Sequence, residues 1–133
     1  MNIIRFRSFP PTELGVEYWA HTARGVLPLR ECLDCGRKRQ YLTAVCWSCE
    51  SVDWRWTPTS GHGTVYAASL NHYRMTDEFP DEYIVAMVDL DEGVRVMTQL
   101  VDVHYADVHI GDPVHVLFQP LDDGKQAPVF TLD

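Results

Sequence analysis

Residues 32–50 read CLDCGRKRQYLTAVCWSCE and hold all four cysteines of the 133-residue chain. The cysteines form two C-x2-C pairs with ten residues between the pairs. Two residues between cysteines let both thiolates face one point on a tight turn, and two such turns complete a tetrahedral four-sulfur metal site. A cysteine loop of this length cannot bury enough apolar surface to fold alone, so the metal would supply its folding free energy, on the order of 10 kcal/mol. The predicted ligands of this structural site are Cys32, Cys35, Cys46 and Cys49.

The four cysteines are predicted to bind a structural zinc ion. The alternatives are disulfides, redox dithiols, a catalytic zinc ion and an iron site. A cytoplasmic chain disfavours disulfides, and a redox C-x-x-C normally opens a helix in a thioredoxin-like fold, which this sequence does not predict. A closed four-thiolate site leaves no open position for substrate, which argues against catalytic zinc. Iron in the same geometry would make a rubredoxin-type electron carrier. Glu50, standing where a glycine would ease the turn toward the sulfur, weakens the iron alternative and leaves it open.

Upstream of the cysteines the sequence predicts one short amphipathic helix over about residues 12–24. Thr12 is a candidate N-cap, and Gly25 suits the C-terminal end. Tyr18 and Trp19 follow at helical spacing on the apolar face. Such a helix either covers a neighbouring core or docks onto a partner protein.

Downstream of the cysteines, residues 53–56 predict a strand, and from Ser60 onward the apolar residues alternate in segments separated by turns. Five strands in about 70 residues describe a small barrel or sandwich. These strands are predicted at 64–71, 83–90, 94–101, 114–118 and 128–132. The chain therefore divides into a helical segment over 1–28, a zinc ribbon over 29–56 and a barrel over 57–133.

Composition and charge limit the compartment and the partners. No run of 18 apolar residues and no signal-peptide core is present, so we expect a cytoplasmic protein without membrane contact. Residues 1–60 hold eight Lys and Arg against six Asp and Glu, whereas residues 61–133 hold three against thirteen. The second half would repel a phosphate backbone, which argues against nucleic acid as a partner.

The sequence gives only weak signals for other functional sites. Arg37, Lys38 and Arg39 form the one basic cluster, either a solvated run or a clamp for an anion such as nucleotide phosphates. Gly61-His62-Gly63 lacks the third glycine of a phosphate loop, because Tyr66 stands there, and is interpreted as a flexible entry to the first barrel strand. The six histidines are scattered and interpreted as ordinary side chains: His21, His62, His72, His104, His109 and His115. No nucleophile elbow, P-loop or H-E-x-x-H motif is present, so we expect no active site of its own.

The order of these segments resembles the OB-fold, acyl-CoA-associated zinc-ribbon family. The resemblance covers roughly residues 14–131. It rests on Tyr18-Trp19 before Gly25, on residues 29–36, on Cys46 and residues 49–51, and on residues 60–66, 83–94, 110–114 and 128–130. One departure is the second knuckle, where the family often has C-P-x-C-G and this chain has Cys46-Trp47-Ser48-Cys49-Glu50.

The resemblance implies a mainly β fold: an N-terminal helix, a rubredoxin-like zinc ribbon and a five-stranded OB-fold barrel. It also implies a non-catalytic accessory subunit of enzymes acting on coenzyme A thioesters, above all thiolase-fold condensing enzymes and retro-aldolases that shorten sterol side chains. The ribbon and helix would pack on that enzyme, with Tyr18, Trp19 and Trp47 at the interface, and the barrel would help to shape the acyl-CoA site. Arg37, Lys38 and Arg39 would be the first candidates to contact the coenzyme A phosphates.

Besides the iron electron carrier, three alternatives remain open at this point. Zinc ribbons and OB barrels both recur in nucleic-acid-binding proteins. Members of the family also pair with hotdog-fold enoyl-CoA hydratases. An independent enzyme is the third, since catalytic groups can assemble without a local motif.

Overall fold

The computed structural model describes residues 12–74, 76–77 and 79–133, so residues 1–11 of the predicted helical segment lie outside the described residues. The first element is α1, Glu13–Ala23. Thr12 caps it, because its hydroxyl oxygen accepts the Gly15 N–H at 3.0 Å. At the other end Gly25 has φ +74°, and the Val26 N–H returns to the His21 carbonyl at 3.1 Å. The predicted helix is confirmed at both ends.

A three-stranded antiparallel sheet follows α1 and forms the ribbon. Its strands are β1 (Pro28–Cys32), β2 (Lys38–Arg39) and β3 (Trp54–Pro58), with β1 in the centre. Only β3 was predicted from the sequence. The charged Arg30 interrupts the apolar pattern of β1, and the two residues of β2 are too few to carry a period.

The second half closes into the predicted five-stranded barrel. Its strands are β4 (His62–Asn71), β5 (Tyr83–Leu90), β6 (Arg95–Leu100), β7 (Pro113–Pro120) and β8 (Gln126–Leu132). The neighbours run β4-β5-β6-β8-β7 and back to β4. All pairs are antiparallel except β6 with β8. This is the OB-fold that the resemblance implied.

One apolar core joins the ribbon to the barrel. Val65, Val88 and Phe130 fill the barrel interior and are almost fully buried. Leu27 and Leu29, from the segment that enters the ribbon, belong to the same core. The Gln40 side chain of the ribbon also donates to the Arg95 carbonyl of β6 at 2.7 Å. The ribbon is therefore anchored on the barrel by shared apolar side chains.

No helix in the described part of the chain is long and apolar enough to cross a membrane.

Close packing, and not flexibility, explains the glycines at the start of β4. A Cβ built on Gly63 would lie 2.4 Å from the Asp89 carbonyl oxygen and 2.8 Å from Val88 Cγ1. A Cβ on Gly61, whose φ is +76°, would lie 2.5 Å from Val116 Cγ1. The interpretation of this segment as a flexible entry was wrong, because β4 is pressed against β5 and β7 here.

We expect Gly63→Ala to lower the free energy of unfolding by about 1–3 kcal/mol, because β5 must move to admit the methyl group. Urea denaturation of the purified protein measures this. Thr64→Val is the control, since Thr64 is exposed and the change should stay within about 0.5 kcal/mol. Equal stability of Gly63→Ala and the wild type would contradict the close approach.

Candidate functional site: a four-cysteine metal centre

The two C-x2-C turns fold as copies of one another. The Gly36 N–H donates to the Cys32 carbonyl at 3.0 Å, and the Glu50 N–H donates to the Cys46 carbonyl at 2.9 Å. Both donors have left-handed backbone, with φ +77° at Gly36 and +64° at Glu50. The conformation that glycine adopts freely in the first turn is therefore imposed on a glutamate in the second.

The four cysteine sulfurs converge on one point. All four lie within 4.8 Å of one another. Cys32 Sγ and Cys49 Sγ are 3.6 Å apart, and so are Cys35 Sγ and Cys46 Sγ. A tetrahedral zinc with bonds of about 2.3 Å needs sulfurs about 3.8 Å apart. The donor set and its spacing thus fit a metal ion, and the predicted ligand residues are brought together.

Backbone N–H groups point at the sulfurs and favour thiolates. The Cys35 N–H has the largest effect on Cys32 and, together with the Asp34 N–H and hydrogen bonds from the Cys49 and Cys35 thiols, lowers its pKa to about 6 although desolvation raises it. Those of Cys49 and Ser48 likewise lower the pKa of Cys46.

The four thiols cannot all ionise without a cation. The Ser51 N–H lowers the pKa of Cys49, but burial and the other cysteines outweigh it and raise that pKa to about 12. Without a cation Cys49 therefore stays protonated, and a bound metal cation would let all four thiols ionise.

The three residues of the basic cluster, Arg37, Lys38 and Arg39, do not form one exposed surface. Arg37 is exposed and its guanidinium lies over the indole of Trp47, 4.9 Å from the ring centroid. Arg39 is only 4% exposed, and its Nε donates to the Thr43 carbonyl at 2.7 Å. Lys38 lies between them, half-buried on β2. The anion contact stays a prediction, with Arg39 turned inward and Arg37 outward.

The three aromatic residues predicted at the partner interface, Tyr18, Trp19 and Trp47, lie in different environments. Tyr18 stacks on Tyr41 with centroids 4.2 Å apart and contacts Trp19 edge to face. Burial and the neighbouring Tyr41 raise the pKa of Tyr18. The Trp56 indole N–H donates to Glu17 at 3.1 Å. These rings hold α1 against the ribbon, whereas Trp47 is 67% exposed.

Trp47, which was predicted at the partner interface, is one of five exposed apolar side chains on the ribbon, and the other four were not predicted from the sequence. Leu33 and Trp47 occupy equivalent positions, directly after the first cysteine of each turn, and both are exposed. Three further apolar residues of the ribbon are exposed as well. We call the five residues the ribbon patch: Leu33, Leu42, Val45, Trp47 and Val52. The sequence could have indicated part of this set, because an apolar residue directly follows the first cysteine in both C-x2-C pairs.

Two cavities differ in the charge of their lining. One of about 380 Å³ lies at an end of the barrel, and Glu82 and Asp102 line it. The other, of about 190 Å³, lies between α1, the ribbon and the barrel, and Tyr41, Met97 and Phe130 line it. The carboxylates of the first would repel a phosphate group, while the second is largely apolar.

Comparisons with known proteins agree on one family. The family model described as "ChsH2, C-terminal OB-fold domain" matches residues 56–119. A DUF35 domain-containing scaffold protein of Methanocaldococcus jannaschii is 32% identical over 122 residues, covering 90% of this chain and 86% of that protein. In Thermomonospora curvata, a "Probable enoyl-CoA hydratase alpha subunit" is 32% identical over 85% of this chain. The chain spans only 36% of that relative's length.

A solved structure matches almost the whole chain. It is titled "Ltp2-ChsH2(DUF35) aldolase", and it superimposes with a TM-score of 0.83 at 27% identity. The match covers 94% of this chain and 98% of that chain.

We expect Glu50→Gly to raise the unfolding free energy of the metal-bound protein by about 0.5–1 kcal/mol, because glycine carries no penalty at positive φ. Denaturant titration measures the change. Glu50→Ala is the matched control: it removes the same charge but keeps a Cβ, and should give no such gain. A gain in the alanine variant equal to that in the glycine variant would assign the effect to charge and contradict the backbone explanation.

Proposed function

This chain belongs to the OB-fold DUF35 family, and on that premise we propose that it is a non-catalytic accessory subunit. Its partner is a thiolase-fold enzyme that acts on acyl-CoA thioesters, by condensation or by aldol cleavage, and this chain helps to shape that enzyme's acyl-CoA site. The observation that carries the proposal is the near-complete superposition on a chain of the Ltp2-ChsH2(DUF35) aldolase.

The relatives differ in how much of their own length aligns with this chain. Nearly the full length of the DUF35 scaffold protein and of the aldolase chain aligns with this chain. Only 36% and 32% of two hydratase alpha subunits align, so the chain corresponds to one part of those larger proteins. Their names nevertheless favour a hotdog-fold hydratase as the second candidate partner.

The chemistry available on the chain also favours an accessory role. All four cysteines lie at the metal centre, so the chain has no other thiol to serve as a nucleophile. Four thiolates around one ion leave no open coordination position for substrate.

The ribbon patch is the proposed docking surface for the enzyme. A metal bound by the four cysteines would fix the two turns that carry Leu33 and Trp47, which limits the entropy lost on binding. Trp47 is the proposed anchor, because tryptophan is among the residues that dominate interface energies. Tyr18 and Trp19 contribute by holding α1 in place on the ribbon, since Tyr18 stacks on Tyr41.

The apolar cavity between ribbon and barrel is the proposed contribution to the acyl-CoA site. Tyr41 of the ribbon and Met97 of the barrel both line it. Arg37 and Lys38 are the proposed contacts for the coenzyme A phosphates, with Arg39 reaching them only if it leaves its carbonyl partners. If the acyl-CoA affinity of the assembled complex is unchanged after all three residues are changed to alanine, the proposed phosphate contact is wrong.

We expect the purified protein to contain one zinc ion per chain, held by the four cysteines. Removing zinc with a chelator under reducing conditions should unfold the ribbon and shift the tryptophan fluorescence to longer wavelength, because Trp54 and Trp56 pack within the ribbon.

Elemental analysis with the fluorescence titration tests this, and Cys46→Ser is the matched variant that should lose the ion. If the protein is red, contains iron and has a visible absorption band, the bound metal is iron and not zinc. Absence of any bound metal in protein purified under reducing conditions would contradict a metal centre.

We expect the tagged protein to retain a thiolase-fold enzyme in stoichiometric amount when captured at moderate salt from its native host. Leu42→Ser combined with Trp47→Ser should weaken that association by about 30-fold or more, since one buried anchor contributes about 2 kcal/mol. Mass spectrometry and light scattering of the purified complex identify the partner and the ratio.

Ile110→Ser is the control, because Ile110 is 80% exposed but lies in the barrel half of the chain. It should leave the complex intact. A hotdog-fold hydratase in place of the thiolase-fold enzyme would establish the second candidate. Bound nucleic acid without a protein partner, or turnover of acyl-CoA by the isolated chain, would contradict the accessory role.

A further inference from the structure

Two arginines are buried side by side in the ribbon. Arg30 on β1 pairs with Arg39 on β2, and they are 6% and 4% exposed. Arginine is rarely buried to this degree without an opposite charge. Among the described residues no carboxylate forms an ion pair with either guanidinium. Arg30 Nε and Arg39 Nη1 are buried without a hydrogen-bond partner.

Both guanidiniums fasten the same turn of the chain. Arg39 Nε and Arg30 Nη1 donate to one oxygen, the Thr43 carbonyl, at 2.7 and 3.1 Å. Arg39 Nη2 also donates to the Ala44 carbonyl at 3.3 Å. The Arg30 guanidinium is held in turn over the Trp54 ring, 4.3 Å from its centroid. Hydrogen bonds from charged donors to backbone are stronger than neutral ones, so this turn is firmly fixed.

The turn leads directly into the second pair of cysteines. Ala44 precedes Cys46 by two residues, and Arg30 precedes Cys32 by two residues on the same face of β1. The two arginines therefore link the strand that ends in the first metal turn to the segment that begins the second.

We propose that Arg30 and Arg39 are positioning residues of the metal centre. They hold the turn at Thr43 and Ala44 so that Cys46 and Cys49 meet Cys32 and Cys35. This inference rests on the proposed metal and goes beyond the proposed accessory role.

The test is the metal affinity of single variants, measured by competition of zinc between the protein and a chromophoric chelator under reducing conditions. Arg30→Met and Arg39→Met should each weaken zinc binding by about 10- to 100-fold, the usual effect of losing a residue that orients metal ligands. Arg39→Lys should fall between Met and wild type, because lysine keeps the charge but loses the planar fork. Cobalt substitution adds a spectroscopic readout, since the visible absorption bands should shift or weaken in the methionine variants.

Two controls separate positioning from a general loss of stability. Arg55→Met removes an exposed arginine of the ribbon that pairs with Glu31, and its zinc affinity should stay at the wild-type value. Val88→Ala destabilises the barrel core away from the cysteines and should lower the melting temperature without changing the cobalt spectrum.

Wild-type zinc affinity and an unchanged cobalt spectrum in both methionine variants would overturn the inference while leaving the metal centre standing. Should the methionine variants fail to fold, Arg39→Lys decides: weakened binding supports the inference and wild-type binding overturns it. Failure of the wild type to bind zinc or cobalt would overturn the proposed metal and this inference together.

Discussion

The convergence of four sulfur atoms is the constraint on which the ribbon depends. Its sheet has two strands of five residues and one of two, which is too little for independent stability. The thiols of Cys32 and Cys49 approach to 3.6 Å from sequence positions seventeen residues apart. A cation that binds all four thiolates would fix both turns at once, and with them the positions of Leu33 and Trp47.

The barrel depends on the same constraint through shared packing. Leu29 belongs to β1 of the ribbon and also to the apolar core around Phe130. Any change in the ribbon therefore reaches the barrel interior through a buried side chain. A chain built in this way presents its ribbon and barrel surfaces in one fixed relation, which suits the proposed accessory role.

The sequence predicted those elements whose signal is local. The cysteine spacing, the cap at Thr12 and the alternation of β5 each depend on a few neighbouring residues, and each was found in the structure. The OB-fold topology came from the resemblance to a family, because alternation cannot tell a barrel from a sandwich. The parallel pairing of β6 with β8 joins residues far apart in the chain, and no local pattern encodes it. The sequence does not distinguish Arg39 from its neighbours Arg37 and Lys38. Arg39 can be buried because its guanidinium donates to the Thr43 carbonyl, and sequence spacing does not reveal that contact.

The strand order of the barrel has a consequence for how the chain is made. β8 lies between β6 and β7, so the barrel cannot close until the last strand, ending at Leu132, has been synthesised. The helix and the whole ribbon are complete by Pro58, less than halfway along the chain. Domains emerge from the ribosome N-terminal end first, and long-range strand pairing is slow. The four cysteines can thus meet while the barrel is still an open sheet, and Leu27 and Leu29 then offer a preformed apolar surface against which the remaining strands assemble.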